Sequence, residues 1–229
     1  MESNLADNPR LDRRCENLTY GVAHSQNAII AKLVHQKLEP PDLARAAVAL
    51  GFHGDTPAWA LGGRAGTVTM PDGKGVPFGK TAAGFTGSEL SPMAGAILAS
   101  TIANHGVAVT PRIVDAIVDG TTTIPVEPGK SRQAIDARVA DHVANMMQAT
   151  CVAGSAAKAF RRWGGKRVGG KTGTLAVDKP VYEEFSWFVG FVDDGTGGAL
   201  AISVLLGNAE DWWMKAHTAA RRVLDRAAR

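Results

Sequence analysis

Several features that would place a chain quickly are scarce in this one. Cysteine occurs only twice in 229 residues, as Cys15 and Cys151, too few for a metal-ligand cluster or a disulfide framework. Two buried thiols is the plain reading of the pair, and a single bridge stays open. No apolar run approaches the roughly 18–20 residues that cross a bilayer, so no membrane-spanning helix is expected within the sequence. The opening residues Met1 to Asp7 lack a basic stretch followed by an apolar one, so no signal peptide or anchor is visible. Charge of one sign is also scarce. The net charge is +3, and the basic residues are scattered. The densest stretch, Lys158 to Arg167, is interrupted by Phe160, Trp163 and two glycines, which argues against a nucleic-acid partner.

What is present is a chain that can fold. Apolar residues make up 45%, enough for a sizeable core. Helical signals appear over Arg14–Ala23 and then over Ile29, Ile30, Leu33, Val34 and Leu38. Pro40-Pro41-Asp42 opens a short helix through Ala49, stopped by Gly51. Trp59 to Gly87 is rich in Gly, Pro and Thr and reads as a long loop or a few short strands. Ser91-Pro92 pairs an N-cap with a proline suited to the first helical turn, and Gly106 closes that helix.

Val107 to Val118 reads as extended and Thr121 to Gly129 as a connector. Asp136 to Val152 is an amphipathic helix whose expected inner face is Val139, Val143, Met146, Met147 and Thr150. Three strands follow, Arg167–Val177, Phe185–Val192 and Ala199–Leu206, the last two joined by a hairpin through Asp193 to Gly198. Trp212 to Arg229 closes the chain as a helix, with Trp212 and Trp213 expected in its core contacts. Serial strands with helices before and after predict an α+β fold, an antiparallel sheet covered by helices.

The sharpest local feature is Gly169-Gly170-Lys171-Thr172-Gly173-Thr174 on a predicted strand. Glycine weakens a strand and is tolerated where another backbone or a ligand comes close. A cation and two hydroxyls on such a strand suit an extended anionic peptide. Gly165 to Thr172 also matches the letters of a P-loop, but that motif needs a strand before it and a helix after it. Here the order is inverted. A second feature, Ser25-x-Asn27, lies at a predicted helix junction, where a serine alone reads as an N-cap.

Taken together and in order, these two motifs resemble two of the three elements of penicillin-binding transpeptidases and serine β-lactamases. Ser25 to Leu33 is similar to the S-x-N helix of the transpeptidases. Gly87 to Pro92, Ile102 to Gly106 and Thr110-Pro111-Arg112 are similar to their segment between S-x-N and K-T-G, and Gly154 to Thr174 to the approach to K-T-G. The resemblance runs from about Arg14 to the C-terminus. It implies a β-lactamase/transpeptidase-like sheet with helices on both faces, incomplete at the N-terminus, so that residues 1–229 form the C-terminal portion of such a domain.

The resemblance also implies a chemistry. In this family a serine of S-x-x-K attacks the D-Ala-D-Ala amide of a peptidoglycan stem peptide, and β-lactams acylate the same serine. Carried over by motif, Ser25 would relay a proton to the leaving group, Asn27 would hold the peptide carbonyl, and Lys171 would keep the local potential positive. Thr172 and Thr174 would receive the substrate carboxylate, the Thr174 N–H would serve the oxyanion, and Gly173 would let the substrate backbone approach. No cofactor or metal is implied. The implied partners are stem peptides, β-lactams and other cell-wall synthesis proteins, and the implied location of a full-length member is the periplasm or cell envelope.

One element is missing. The only serine before Ser25 is Ser3, whose i+3 residue is Ala6, so no S-x-x-K precedes S-x-N. Ser155-Ala156-Ala157-Lys158 has the letters but falls after S-x-N, and Ser155 reads as a helix cap following Gly154. The expected activity is therefore that of a D,D-transpeptidase-type domain that is inactive as it stands. The alternative is a non-catalytic module that binds stem peptides or β-lactams, as a sensor would. A serine β-lactamase fits less well, since no glutamate stands out as a deacylation base.

Overall fold

The computed structural model of the chain describes residues 16–54, 64–127, 129–161, 163, 167–177, 183–193, 198–208 and 212–227. Cys15 lies outside them, as does most of the Asp193–Gly198 hairpin loop. The frame of the molecule is a three-stranded antiparallel sheet in the order β7-β8-β9, built from Arg167–Val177, Glu183–Asp193 and Ala199–Asn208. Lys171 pairs with Val189 and Gly173 with Trp187, which sets the register of the whole sheet. All three strands stand where the alternating and glycine-marked patterns put them. Among the described residues, β9 has β8 as its sole sheet partner.

Helices cover both faces. On one, Val168, Phe188 and Val192 pack with α7 (Ala157–Phe160) and α8 (Ala216–Ala227) through Phe160, Ala216, Ala220 and Leu224. Two polar contacts hold α8 there. Its first N–H donates to the Ser186 hydroxyl at 2.9 Å, and Arg221 donates to the Ala159 carbonyl at 2.7 Å. The Arg221 guanidinium also lies 5.0 Å from the Trp163 ring centroid. On the other face, Phe191 meets Ile102 of α5 (Pro92–Ala103) and Ala144 and Met147 of α6 (Ala137–Val152). Gly95 brings α5 close to the sheet, since a Cβ there would stand 3.2 Å from Val189 Cγ2.

The first two glycines of the Gly169–Thr174 run turn out to serve this packing rather than a ligand. A Cβ on Gly169 would strike the Phe191 ring, and one on Gly170 would strike the Phe188 ring, on opposite faces of the sheet. Both rings are buried, so neither has room to yield.

The helical half is α1 (Leu18–Ala23), α2 (Asn27–Lys37), α3 (Pro40–Ala49) and α4 (Val76–Ala82). Asn17 caps α1 by accepting from the Tyr20 N–H at 2.9 Å. Gly51 follows α3 at φ +97°, the left-handed stop expected from its position. Ser91 caps α5 by accepting from Ala94 N–H at 3.1 Å, and Asp136 caps α6 through Arg138 and Val139. Short antiparallel pairs complete the fold: β1–β2 (Thr67–Val68, Ser88–Glu89), β3–β6 (Val107–Val109, Ser131–Gln133) and β4–β5 (Ala116–Asp119, Thr122–Pro125).

Four expectations are corrected. Trp59 to Gly87 is not all loop: Val76–Ala82 is helical, because Pro77 falls in the first turn and Gly79 lets α4 lie against Ala31 of α2 at 3.1 Å from its would-be Cβ. Part of the Thr121–Gly129 connector is strand β5. The inner face of α6 is Ala140, Ala144, Met147, Thr150 and Cys151, with Val139 left 51% exposed, because the small side chains let the helix sit close to β7. Trp213 is 79% exposed rather than in the core. Cys151 is a buried free thiol, and burial pushes its pKa up to about 12.

Candidate active site

The junction between α1 and α2 is tight. Gly21 is buried against Ile29, its would-be Cβ 3.1 Å from Ile29 Cγ2, so the two helices fold back on each other within a few residues. Ser25 makes that turn at φ +55°, a left-handed conformation uncommon for a residue with a side chain. The N-cap of α2 is Gln26 and has no side-chain cap bond. Ser25 is therefore no helix cap. Its hydroxyl accepts a hydrogen bond from Lys171 Nζ at 2.8 Å, across 146 residues of sequence.

Lys171 reaches that hydroxyl from the middle of β7. Its ammonium also donates to the Thr172 carbonyl at 2.8 Å, so two oxygens anchor it. Burial lowers its pKa from the ordinary 10.5 to about 8. At neutral pH it is still mostly protonated, and among the described residues it is the one cation lining this cleft.

The cleft has a volume of about 350 Å³ and brings together all six residues singled out from the sequence: Ser25, Asn27, Lys171, Thr172, Gly173 and Thr174. Along β7, Lys171 and Gly173 share one face while Thr172 and Thr174 share the other, since successive strand residues alternate. Gly173 is half-buried opposite Trp187, with 3.3 Å between its would-be Cβ and that of the tryptophan. Any side chain at position 173 crowds this wall. His24 lies outside the lining and rests its ring against Tyr20, centroids 4.2 Å apart.

One wall was not foreseen. Ala82, Ala83, Gly84 and Phe85, at the end of α4, also line the cleft. The signals were a proline at the start of a helical stretch and Gly84 at its end, at φ +80°. The glycine-rich surroundings masked them. A larger cavity, about 730 Å³, lies between α3, α5 and β3–β6, lined by Phe52, Leu90, Met93 and Ile97. None of the six residues borders it.

Two rival motifs do not survive the geometry. Lys171-Thr172 continues into strand, so no helix N-terminus follows to cradle a phosphate. Ser155 lies in the turn before α7, whose N-cap is Ala156, so Ser155 and Lys158 do not share a helical face. Ser155 is no cap either. It hydrogen-bonds through its hydroxyl to that of Thr172 at 2.6 Å.

Comparison with known proteins bears on the fold and the family. Penicillin-binding protein A from M. tuberculosis, as an imipenem acyl-enzyme complex, superposes with a TM-score of 0.79 at 23% identity, over 97% of this chain and 50% of that one. The D,D-transpeptidase domain of a peptidoglycan glycosyltransferase from Eggerthella lenta gives 0.73 at 21% identity, covering 93% and 53%. Penicillin-binding protein 3 from M. tuberculosis, complexed with aztreonam, gives 0.74 at 20% identity, covering 93% and 52%. At these identities the likeness shows the fold, and the chain spans about half the length of the structures it matches. A search of curated proteins finds no match. The family model for the penicillin binding protein transpeptidase domain, however, matches residues 4–226. The chain belongs to the family of penicillin-binding protein transpeptidase domains.

Proposed function

We propose that residues 1–229 are the C-terminal portion of a D,D-transpeptidase-type domain of cell-wall synthesis, and that they supply its carboxylate-binding and proton-relay side. The observation that carries this reading is the 2.8 Å hydrogen bond from Lys171 Nζ to Ser25 Oγ inside a cleft edged by Thr172, Gly173 and Thr174. A hydroxyl held by an amine can pass a proton to a departing nitrogen. A cation beside two threonine hydroxyls attracts a carboxylate, which only accepts hydrogen bonds. The ligands are D-Ala-D-Ala stem peptides and β-lactams, both of which carry that carboxylate beside an amide. Asn27 holds the ligand's peptide carbonyl, and the Thr174 N–H serves the oxyanion.

Acylation needs an attacking serine. The bond that forms is Oγ to carbonyl carbon and the bond that breaks is the amide, while the proton of the attacking hydroxyl passes to the lysine of its own motif and on through Ser25 to the leaving nitrogen. No S-x-x-K precedes Ser25 in this sequence, so the chain by itself binds these ligands without turnover. That same observation favours a second reading, a module that holds stem peptides or β-lactams reversibly, as a sensor does. The setting of either is the cell envelope.

A fluorescent penicillin tests the proposal. Reversible binding, seen as anisotropy that an unlabelled penicillin competes away, is the expected result, with no labelled band after denaturation. A band that survives denaturation overturns the inactivity, and absence of any binding overturns the ligand assignment.

A further inference from the structure

The turn Gly154–Ser155 touches both walls of the cleft. Its Ser155 N–H donates to the Ala23 carbonyl at 2.9 Å, two residues before Ser25. Gly154 lies so close to the same carbonyl that a Cβ there would collide with it, and would stand 2.8 Å from Thr150 Cα. The Ser155 hydroxyl reaches the other wall, sharing its 2.6 Å hydrogen bond with the Thr172 hydroxyl on β7. Meanwhile the Thr172 carbonyl accepts from Lys171 Nζ at 2.8 Å. Thr172 is thus held at its backbone from one side and at its side chain from the other.

We propose that Ser155 is a positioning residue, which sets the direction of the Thr172 hydroxyl so that it donates to the carboxylate of a ligand in the cleft. This rests on the carboxylate-binding reading above. A hydroxyl carries one hydrogen and can accept as well as donate. With Ser155 donating into Thr172 Oγ1, the Thr172 hydrogen is left for the ligand, and the chain of hydroxyls polarises it further. Without that donor the Thr172 side chain can turn, and its hydrogen has no preferred target. The backbone N–H of Ser155, which ties α1 to the turn, is unaffected by removal of the side chain. Ser155→Ala therefore separates positioning from tethering.

The experiment compares the full chain, Ser155→Ala and Ser155→Thr. Three-bond couplings from the Thr172 methyl carbon to its own backbone nitrogen and carbonyl report its rotamer by NMR. Titration with N-acetyl-D-Ala-D-Ala and with its C-terminal amide reports what the hydroxyl does for a ligand. The expected result is one Thr172 rotamer in the unmodified chain and in Ser155→Thr, and averaged couplings in Ser155→Ala. Ser155→Ala binds the acid about three- to tenfold more weakly, as loss of one hydrogen bond implies, while the amide is unaffected. Ser155→Thr restores the acid to within about twofold. Unchanged couplings in Ser155→Ala, or an equal loss on acid and amide, overturn the proposal. If the unmodified chain binds neither compound, the carboxylate reading falls, and the couplings still decide whether Ser155 orients Thr172.

Discussion

At the scale of single residues, Lys171 does the most with the least freedom. Its ammonium sits between a hydroxyl and a carbonyl, and burial holds its pKa near 8 instead of 10.5. The unfolded chain keeps this proton up to about pH 10.5, whereas the folded chain gives it up near 8. Between these values the unfolded state binds more protons, so stability rises with pH through this window, and the cost of the buried charge is fully present below it. Urea unfolding at pH 7.5 and pH 10 checks this. The unmodified chain is expected to gain on the order of 1–3 kcal/mol relative to Lys171→Met over that interval. Equal pH dependence in both proteins contradicts it.

The S-x-N and K-T-G residues were legible because each motif needs particular side chains at fixed spacing. Ser155 was not. A serine after glycine before a short helix has the letters of a cap, and only the fold brings its hydroxyl to Thr172. Gly169 and Gly170 were misread for a related reason. Sequence says that a glycine needs space on one side, but not whether a ligand or a phenylalanine takes it.

Among elements, the ones with distinct end signals were read most closely. Pro40 and Gly51 bound α3, Ser91 opens α5 and Asp136 opens α6, each with its cap or stop in place. Asp136→Ala removes acceptors from the Arg138 and Val139 N–H groups and is expected to cost about 1 kcal/mol. For a chain of this size that is a fall of about 2–4 °C in Tm, measurable by thermal unfolding. No change would mean that water replaces the cap without loss.

The face of α6 was harder. Periodicity picked its largest apolar side chains, yet the helix turns alanines toward the sheet and leaves Val139 out. Close packing onto a flat strand favours small residues, and hydrophobicity alone does not rank them first. The helix α4 was hidden by glycines that punctuate it at both ends, and with it went one wall of the cleft.

The whole molecule is a sheet whose two faces carry different helices, α7 and α8 on one side and α5 and α6 on the other. Among the described residues β7 is one of the two edge strands of the sheet, and the α1–α2 turn is set against it by the bond between Ser25 and Lys171. The resemblance of the two motifs implied that these residues share one site, but how they are held together involves α6, which leads into the Gly154–Ser155 turn bonded to Ala23. The proposed chemistry requires that cleft to receive a carboxylate. Amide chemical-shift mapping of the isotopically labelled chain with benzylpenicillin and with its methyl ester measures this most directly. Saturable shifts at Ser25, Lys171, Thr172, Gly173 and Thr174 with the acid, and much weaker ones with the ester, are the expected result. Shifts centred elsewhere on the molecule, or equal for the two compounds, would contradict it.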